Sequence, residues 1–361
     1  MGKTLDRVGA GFIGAGRISD LHAIEYANNP HAEIVAVCDV DTDQAARRAA
    51  SWGFPKARIY ADHRALLDDT TVDVVDILLP HHLHHPVALD AIAAGKHVSL
   101  QKPMTHTVSQ ADELIAAARK QGVVLRVFEN FVFYPPVMKA KALIDQGAIG
   151  TPVTIRIKSN FGRGKGAWTV PKSAQTWRLD PSKNGGGPCV FDDGHHKFAL
   201  GWHFMGKAEQ VHAWIGTTTA EDGYVYDAPA LVSWKFAAGG LGSLEVAYSP
   251  ELEVITRHYP QDDRIEITGT KGVICINRGH GRIADQPAVL LYRNGGVEGF
   301  SDMETGWEAS FVESTRHFIA ALRSGTAPRL SGEDGREILR FTLAALLSAE
   351  KGHAVRVDEV T

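Results

Sequence analysis

Cysteine is nearly missing from this 361-residue sequence. The three present, Cys38, Cys189 and Cys275, are odd in number and far apart, which excludes a disulfide framework and suits reduced thiols. No apolar run reaches the roughly 20 residues of a membrane helix, and the opening MGKTLDRVGAGF lacks the apolar stretch and small-residue cleavage site of a secretory leader. A cytoplasmic protein with no membrane partner is therefore expected. Long runs of like charge are absent as well, and the formal net charge is only −4, so nothing draws the chain to nucleic acid or anionic lipid. What remains is ordinary globular composition, 44% hydrophobic and 22% charged, at a length that suits two domains. A small molecule is the expected partner.

Up to residue 128 short apolar strands alternate with amphipathic helical stretches, the pattern of a parallel sheet covered on both faces. Strands are predicted at Arg7–Ile13, Glu33–Asp39, Val72–Leu79, His97–Leu100 and Val123–Val127, and helices at Ile18–Asn28, Thr42–Trp52, His84–Ala94 and Ser109–Gln121. Gly53, Gly95 and Gly122 fall where such helices should stop. From Thr151 the rhythm changes to strands joined by turns, at Val153–Asn160, Gln210–Gly216, Ala230–Phe236, Gly242–Tyr248, Arg264–Thr268, Val273–Asn277 and Ala288–Tyr292, followed by helices at Ala309–Arg323 and Glu333–Glu350. The expected fold is an α/β Rossmann domain over residues 1–128, then an α+β domain with a mostly antiparallel sheet over 129–361. Phe161–Gly187 reads as a loop.

The first predicted strand runs into Gly14-Ala15-Gly16-Arg17-Ile18-Ser19. There the first glycine permits a tight turn and the second lets backbone approach a pyrophosphate at the start of a helix. Ser19 replaces the small third residue of the G-x-G-x-x-G pattern. The second strand ends in Asp39, 23 residues after Gly16, where a carboxylate accepts hydrogen bonds from ribose hydroxyls and repels a 2′-phosphate. NAD is thus the expected cofactor, with Arg47 and Arg48 leaving NADP open.

Lys102, in Gln101-Lys102-Pro103 after the next-to-last strand of the first half, lies at the carboxyl edge of the sheet, where such sheets bind the working end of a ligand. Further on, Gly185-Gly186-Gly187 leads through Asp192, Asp193, Gly194, His195 and His196 into an apolar helix ending near Met205. Asp192 and His196, four apart, would share one α-helical face, as suits a carboxylate orienting an imidazole.

Read together, these residues resemble the Gfo/Idh/MocA family of glucose-fructose oxidoreductase, inositol dehydrogenase and rhizopine catabolism. The likeness includes His22 soon after the glycine turn, the Leu79–His84 stretch, the Lys-Pro pair, the Ala142–Gly150 connection, the Asp-x-Gly-x-His helix start and the Gly269–Gly272 turn. It implies an oxidoreductase transferring a hydride between nicotinamide and a secondary alcohol or ketone of a sugar, sugar acid, glycoside or cyclitol. It implies catalytic roles for Lys102, Asp192 and His196, and cofactor contacts from Gly14, Gly16, Arg17, Ile18, Asp39, Pro80, His84, Gln101 and Lys102. Substrate contacts are expected from Lys102, Trp168, Arg178, Asp192, His195 and His196, and a homodimer or homotetramer built on the second sheet.

Three positions depart from the family pattern: Gln101 where Glu is usual, His81 where Asn is common, and Val132-Phe133 after Asn130 where an Arg is frequent. The pair His81 and His85, or the pair His196 and His203, could face together on helices and invite a metal reading, but neither pair has clear further ligands and no metal is expected. Cys189 reads as a small buried thiol. Arg163, Lys165, Lys172, Arg178 and Lys183 stand against the single acid Asp180 in the 161–187 segment, which points to an acidic sugar or the cofactor phosphates, with Trp168 and Trp177 available to stack on sugar C–H faces. Two alternatives stand beside it: a sugar-modifying or glycoside-cleaving enzyme that uses the same Lys, His and cofactor, oxidises transiently and returns the hydride, and a dinucleotide-sensing regulatory protein on the same fold. Retention of Lys102, Asp192 and His196 together speaks against the sensor.

Overall fold

The structure is a computed structural model that describes residues 6–169, 176–220, 223–283 and 285–361; Lys172 lies outside the described residues. By packing, the chain forms two compact units. The first holds the residues up to Asn130 together with Ser182–Gly185 and Phe311–Leu339, and the second holds Phe131–Pro181, Gly186–Ser310 and Arg340–Thr361. The expected boundary at 128/129 is therefore joined by two later stretches of chain. The physical reason lies in the first unit's core, which Phe318, Ile319 and Leu322 complete against Val8, Ala10, Tyr26, Ile34 and Val74.

In the first unit the strands are β1 (Val8–Ile13), β2 (Ala32–Cys38), β3 (Arg58–Tyr60), β4 (Val74–Ile77), β5 (His97–Gln101) and β6 (Leu125–Phe128), with helices α1 (Ser19–Asn28), α2 (Thr42–Ser51), α3 (His63–Leu67), α4 (His84–Ala93) and α5 (Val108–Gln121) between them. All six strands pair in parallel in the order β3-β2-β1-β4-β5-β6. Strand order reverses between β1 and β4, so the loops leaving their carboxyl ends splay apart and open a ligand crevice. β1 and β4 are buried along their whole length, which explains why they carry mostly apolar residues, Asp76 of β4 being the exception. β3 and α3 were not foreseen: three residues and five residues are too short to carry a period.

The second unit begins with α6 (Pro135–Asp145), a helix absent from the sequence reading, whose two prolines at the first turn look like a loop until their place at a helix start is seen. Along the chain follow β7 (Pro152–Lys165), the short α7 (Pro181–Asn184), α8 (Gly194–Met205), β8 (Ala208–Ile215), the small pair β9 (Thr218–Thr219) and β10 (Val225–Tyr226), β11 (Ala230–Phe236), β12 (Leu241–Ile255), β13 (Gln261–Gly269), β14 (Gly272–Ile276), β15 (Val289–Arg293), β16 (Gly296–Phe300), α9 (Glu308–Ser324), α10 (Gly332–Lys351) and β17 (Val355–Arg356), of which α7, α9 and α10 lie partly in the first unit. Nine strands form one sheet in the order β16-β15-β14-β13-β7-β12-β11-β8-β17. Only β7 and β12 run parallel; the other neighbours are antiparallel, as expected of the second half. β11 alternates buried and exposed residues, so one face packs inward and the other is open. On the inner face Phe198 of α8, Trp234 of β11 and Phe341 of α10 meet at 4.8–5.9 Å between ring centres.

The loop expected over Phe161–Gly187 is in part regular structure. β7 continues to Lys165 because Arg163–Lys165 pair with Glu253–Ile255 of β12, and Thr176–Leu179 and Pro181–Asn184 form short helical turns.

Candidate active site

In the first unit the cofactor residues stand at the carboxyl ends of the strands. Gly14 has φ +101°, and a Cβ there would meet the Leu78 carbonyl oxygen at 2.5 Å, so only glycine makes this turn. A Cβ on Gly16 would meet nothing within 4 Å, leaving open space over the start of α1, where helix N–H groups attract an anion. Ser19, the departure from the glycine pattern, is wholly buried and turns its hydroxyl back onto the Gly16 carbonyl, which satisfies it in the tight strand-to-helix contact. Asp39 receives the Ala15 N–H on one carboxylate oxygen at 2.8 Å and the Asp41 N–H on the other at 3.0 Å. Its remaining lone pairs suit ribose hydroxyls. Arg48, the nearest argument for a 2′-phosphate, is engaged by Asp20, which also takes the Trp52 indole N–H. Arg17 lies 3.7 Å from the same Asp20. Glycine turn, open helix start and acidic strand end together fit NAD.

Pro80 opens the loop after β4 in an extended conformation. His84, expected on the cofactor, is instead buried with its ring nitrogens 2.8 Å from the Pro103 carbonyl and 2.9 Å from the Leu79 carbonyl. Burial pushes it down to about 4, so the neutral ring donates to one carbonyl at a time and braces the loops that follow β4 and β5. Gln101 also turns inward. Its amide nitrogen lies 3.0 Å from His22 Nε2, and its oxygen accepts the Lys102 N–H at 2.8 Å. The other histidines of the run serve protein partners: His81 donates from Nδ1 to the Asn184 carbonyl, and His85 meets Glu113 at 2.9 Å. Among the described residues no group of three or more His, Cys, Asp or Glu side chains is placed to hold a metal ion.

In the second unit the chain enters the expected helix through a wider, π-type turn, Pro188–Asp193, before α8 begins at Gly194. Such one-residue expansions are frequent at functional sites. Asp227 caps this turn, accepting the N–H groups of Cys189 at 2.7 Å and Val190 at 2.8 Å. A side chain at Gly187 would collide with that carboxylate, which is the reason for glycine there. Burial, with Asp227 adding to it, raises the Cys189 thiol far from any nucleophilic range.

The Asp192 carboxylate accepts Arg178 Nε at 3.2 Å. The Arg178 guanidinium also lies 4.3 Å from the Trp177 ring. His196 is buried, with its ring 4.5 Å from that of Phe131. An aromatic chain continues from Phe131 to His280 (5.6 Å), Trp307 (4.2 Å) and His258 (5.2 Å), with Trp168 edge-on to His258 and Tyr259. His195, expected on the substrate, is fully enclosed and faces Thr342 of α10 at 3.3 Å, so it belongs to the packing of α8.

The largest omission from the sequence reading is Lys197. It is wholly buried, 2.9 Å from Asp193 and 3.0 Å from Asp263 of β13, with its ammonium 4.8 Å from the Phe131 ring that also touches His196. Ser159 of β7 donates to Asp263 at 2.7 Å, and Gln261 donates to Asp193 at 2.6 Å. Burial pushes Asp263 up to about 6, against the pull of Lys197 and with the push of Asp193. A lysine inside the apolar run of α8 was a visible signal; its two partners were not. Arg163 and Lys165, counted as basic, both face Glu253.

Residues 8–129 match the oxidoreductase family with an NAD-binding Rossmann fold, and residues 137–275 match the C-terminal domain of the same Gfo/Idh/MocA family. The chain belongs to the Gfo/Idh/MocA family and is an NAD-dependent oxidoreductase. It is similar to myo-inositol 2-dehydrogenase of Thermotoga maritima, at 28% identity over 97% of this chain and 98% of that one. It is 28% identical to D-apiose dehydrogenase of Paraburkholderia graminis, over 99% and 92% of the two chains. A solved oxidoreductase from Agrobacterium radiobacter, in complex with NAD+, L-tartaric acid and magnesium, has the same fold with a TM-score of 0.82 at 22% identity, covering 98% of this chain and 99% of its own.

Proposed function

We propose that this enzyme is a cytoplasmic dehydrogenase that oxidises a secondary alcohol on a neutral sugar or cyclitol ring, with Lys102 and His196 as its proton-handling groups and Asp192 as the carboxylate that orients the imidazole. The observation that carries the reading is the second unit's cluster of His196 and the Arg178–Asp192 pair beside aromatic rings, a combination of few polar groups and flat apolar surface that suits a polyol. Neutrality follows from charge pairing. Arg163 and Lys165 face Glu253, and Arg178 pairs with Asp192, so three of the five cations that had suggested an acidic sugar have carboxylate partners. Relatives that act on inositol and apiose support the substrate class.

Bound NAD would accept a hydride from the substrate carbon. His196 removes the hydroxyl proton, the general-base role an imidazole can fill. Lys102 donates to the substrate oxygen and stabilises developing alkoxide. The second domain, from 129 on, would bind the substrate, and its open sheet face, with Trp214, Leu231 and Leu241 exposed, supports pairing with a second copy of the chain. Free thiols at all three cysteines suit the cytoplasm.

Turnover of NAD with a panel of neutral sugars, sugar acids and cyclitols tests the substrate, and accumulation of NADH separates this reading from one in which the hydride is returned. Lys102→Ala and His196→Asn should each lower kcat by about 100-fold or more. Near-normal kcat in both would overturn the site. Asp39→Ala should raise the relative affinity for NADP; an unchanged ratio would remove Asp39 from the ribose.

A further inference from the structure

Lys102 follows a residue, Gln101, whose side chain is turned away from the surface and into the first unit. Its surroundings form a polar row across the parallel sheet. Asp76 of β4 pairs in register with Ser99 of β5, and Ser99 with Arg126 of β6, so three polar side chains lie side by side on one face. Asp76, Ser99, Arg126 and His22 are all essentially without solvent exposure. Arg126 donates to Ser99 Oγ at 3.1 Å and to the Ser314 carbonyl at 2.9 Å, and its guanidinium lies 4.0 Å from the Phe318 ring. From α1, the Tyr26 hydroxyl meets Asp76 at 3.2 Å, and His22 packs on Phe128 at 4.0 Å and Phe311 at 5.3 Å.

The hydrogen bonds decide the state of His22. The Gln101 oxygen is committed to the Lys102 N–H, so the side that faces His22 is the amide N–H. An N–H can be received only by a bare ring nitrogen, so Nε2 of His22 carries no proton. The ring is then neutral, with its proton on Nδ1, which points toward Asp76 Oδ2 at 3.9 Å. Burial lowers the pKa of His22, in the same sense, with Asp76 opposing and Arg126 assisting. Among these groups one anion, Asp76, faces one cation, Arg126, and the network is neutral with nothing left to titrate near pH 7.

We propose that Gln101 and His22 are positioning residues for Lys102: the amide clamps the lysine's backbone N–H on one side and a neutral, Nδ1-protonated His22 on the other, so that the lysine's place is held independently of pH. A carboxylate at position 101 would reverse the demand, since it could accept from His22 only if Nε2 carried a proton, and with the Asp76 carboxylate also near the ring the imidazolium would be favoured. Gln101 is the side chain that keeps the clamp uncharged.

This inference rests on the role proposed for Lys102. In the NAD-dependent enzyme, Gln101→Ala should lower kcat about tenfold while KM for NAD stays within about twofold, the split expected when a catalytic group is displaced and the cofactor is not. Gln101→Glu should raise the pKa of the His22 imidazole by more than one unit, read by NMR titration of the ring against a His22→Gln control, and should bring a new pH dependence into kcat. The double variant Gln101→Glu with His22→Gln, whose new amide can donate to the carboxylate, should recover most of kcat and lose that dependence. A purely structural role would change thermal stability and leave the pH profile as it was. Wild-type kcat in Gln101→Ala, or a His22 titration unmoved in Gln101→Glu, would overturn the clamp. If Lys102→Ala itself keeps normal turnover, the reading of Lys102 fails instead, whatever the His22 titration shows.

Discussion

Each unit buries a cation in its interior, and the two are solved differently. Arg126 in the first unit donates to neutral oxygens, those of Ser99 and Ser314, stacks against Phe318, and shares its region with a single carboxylate, Asp76. Lys197 in the second unit stands between two carboxylates, Asp193 and Asp263, within 3.0 Å of each. The first arrangement balances in charge and should be indifferent to pH near neutrality. The second carries one negative charge too many once both carboxylates are ionised, and burial raises Asp263 to about 6. A planar guanidinium with five donors suits the neutral, multi-oxygen site; a compact ammonium suits the acidic one.

The largest effect that would sharpen this contrast is expected from Lys197→Met. It leaves two buried carboxylates without their cation and should cost about 3–5 kcal/mol of stability, measured by urea denaturation. A loss below about 1 kcal/mol would mean that water reaches the site. Next comes the pH dependence. Asp263 has a folded-state pKa raised above its unfolded value, so its proton favours the folded state at low pH, and that contribution disappears as pH rises from about 4 through about 6. Melting temperature should accordingly carry a component that falls across this window, and Asp263→Asn should remove it. Identical pH–Tm curves for wild type and Asp263→Asn would place the titration elsewhere. In the neutral network the effect is smaller: Ser99→Ala removes one of several acceptors of Arg126 and should cost about 0.5–1.5 kcal/mol at all pH values from 5 to 8. Smallest of all is the surface control. Arg119→Ala breaks an exposed pair with Glu333 and should change stability by less than about 0.5 kcal/mol, so a larger loss would show that buried and exposed charges are not separable here.

What could be read in advance follows the range of each interaction. The glycine turn, Asp39 and the alternation of strands and helices are local patterns, and the sheet they specify is the one present. Lys102 lies just past β5, where its place in the strand order put it. What was not legible concerns mostly partners distant in sequence. The family resemblance placed His84 on the cofactor and His195 on the substrate; the Pro103 carbonyl beside His84 and the Thr342 hydroxyl beside His195 come from other parts of the chain. Asp263 is 66 residues from Lys197, and Asp227 is 38 from Cys189, so neither charge pairing nor cap has a periodic signature.

The return of Phe311–Leu339 to the first unit bears on how the protein is made. The apolar groups Phe318, Ile319 and Leu322 complete a core whose other members lie between Val8 and Val124, and Arg126 finds its carbonyl acceptor at Ser314. During synthesis the N-terminal sheet therefore leaves the ribosome long before the helix that seals it. The second unit's strands up to β16 are translated in that interval, so the unit begun first is finished almost last. A nascent chain stopped anywhere between residues 130 and 310 presents an uncovered apolar surface and an arginine without its acceptor, the kind of exposure that chaperones recognise.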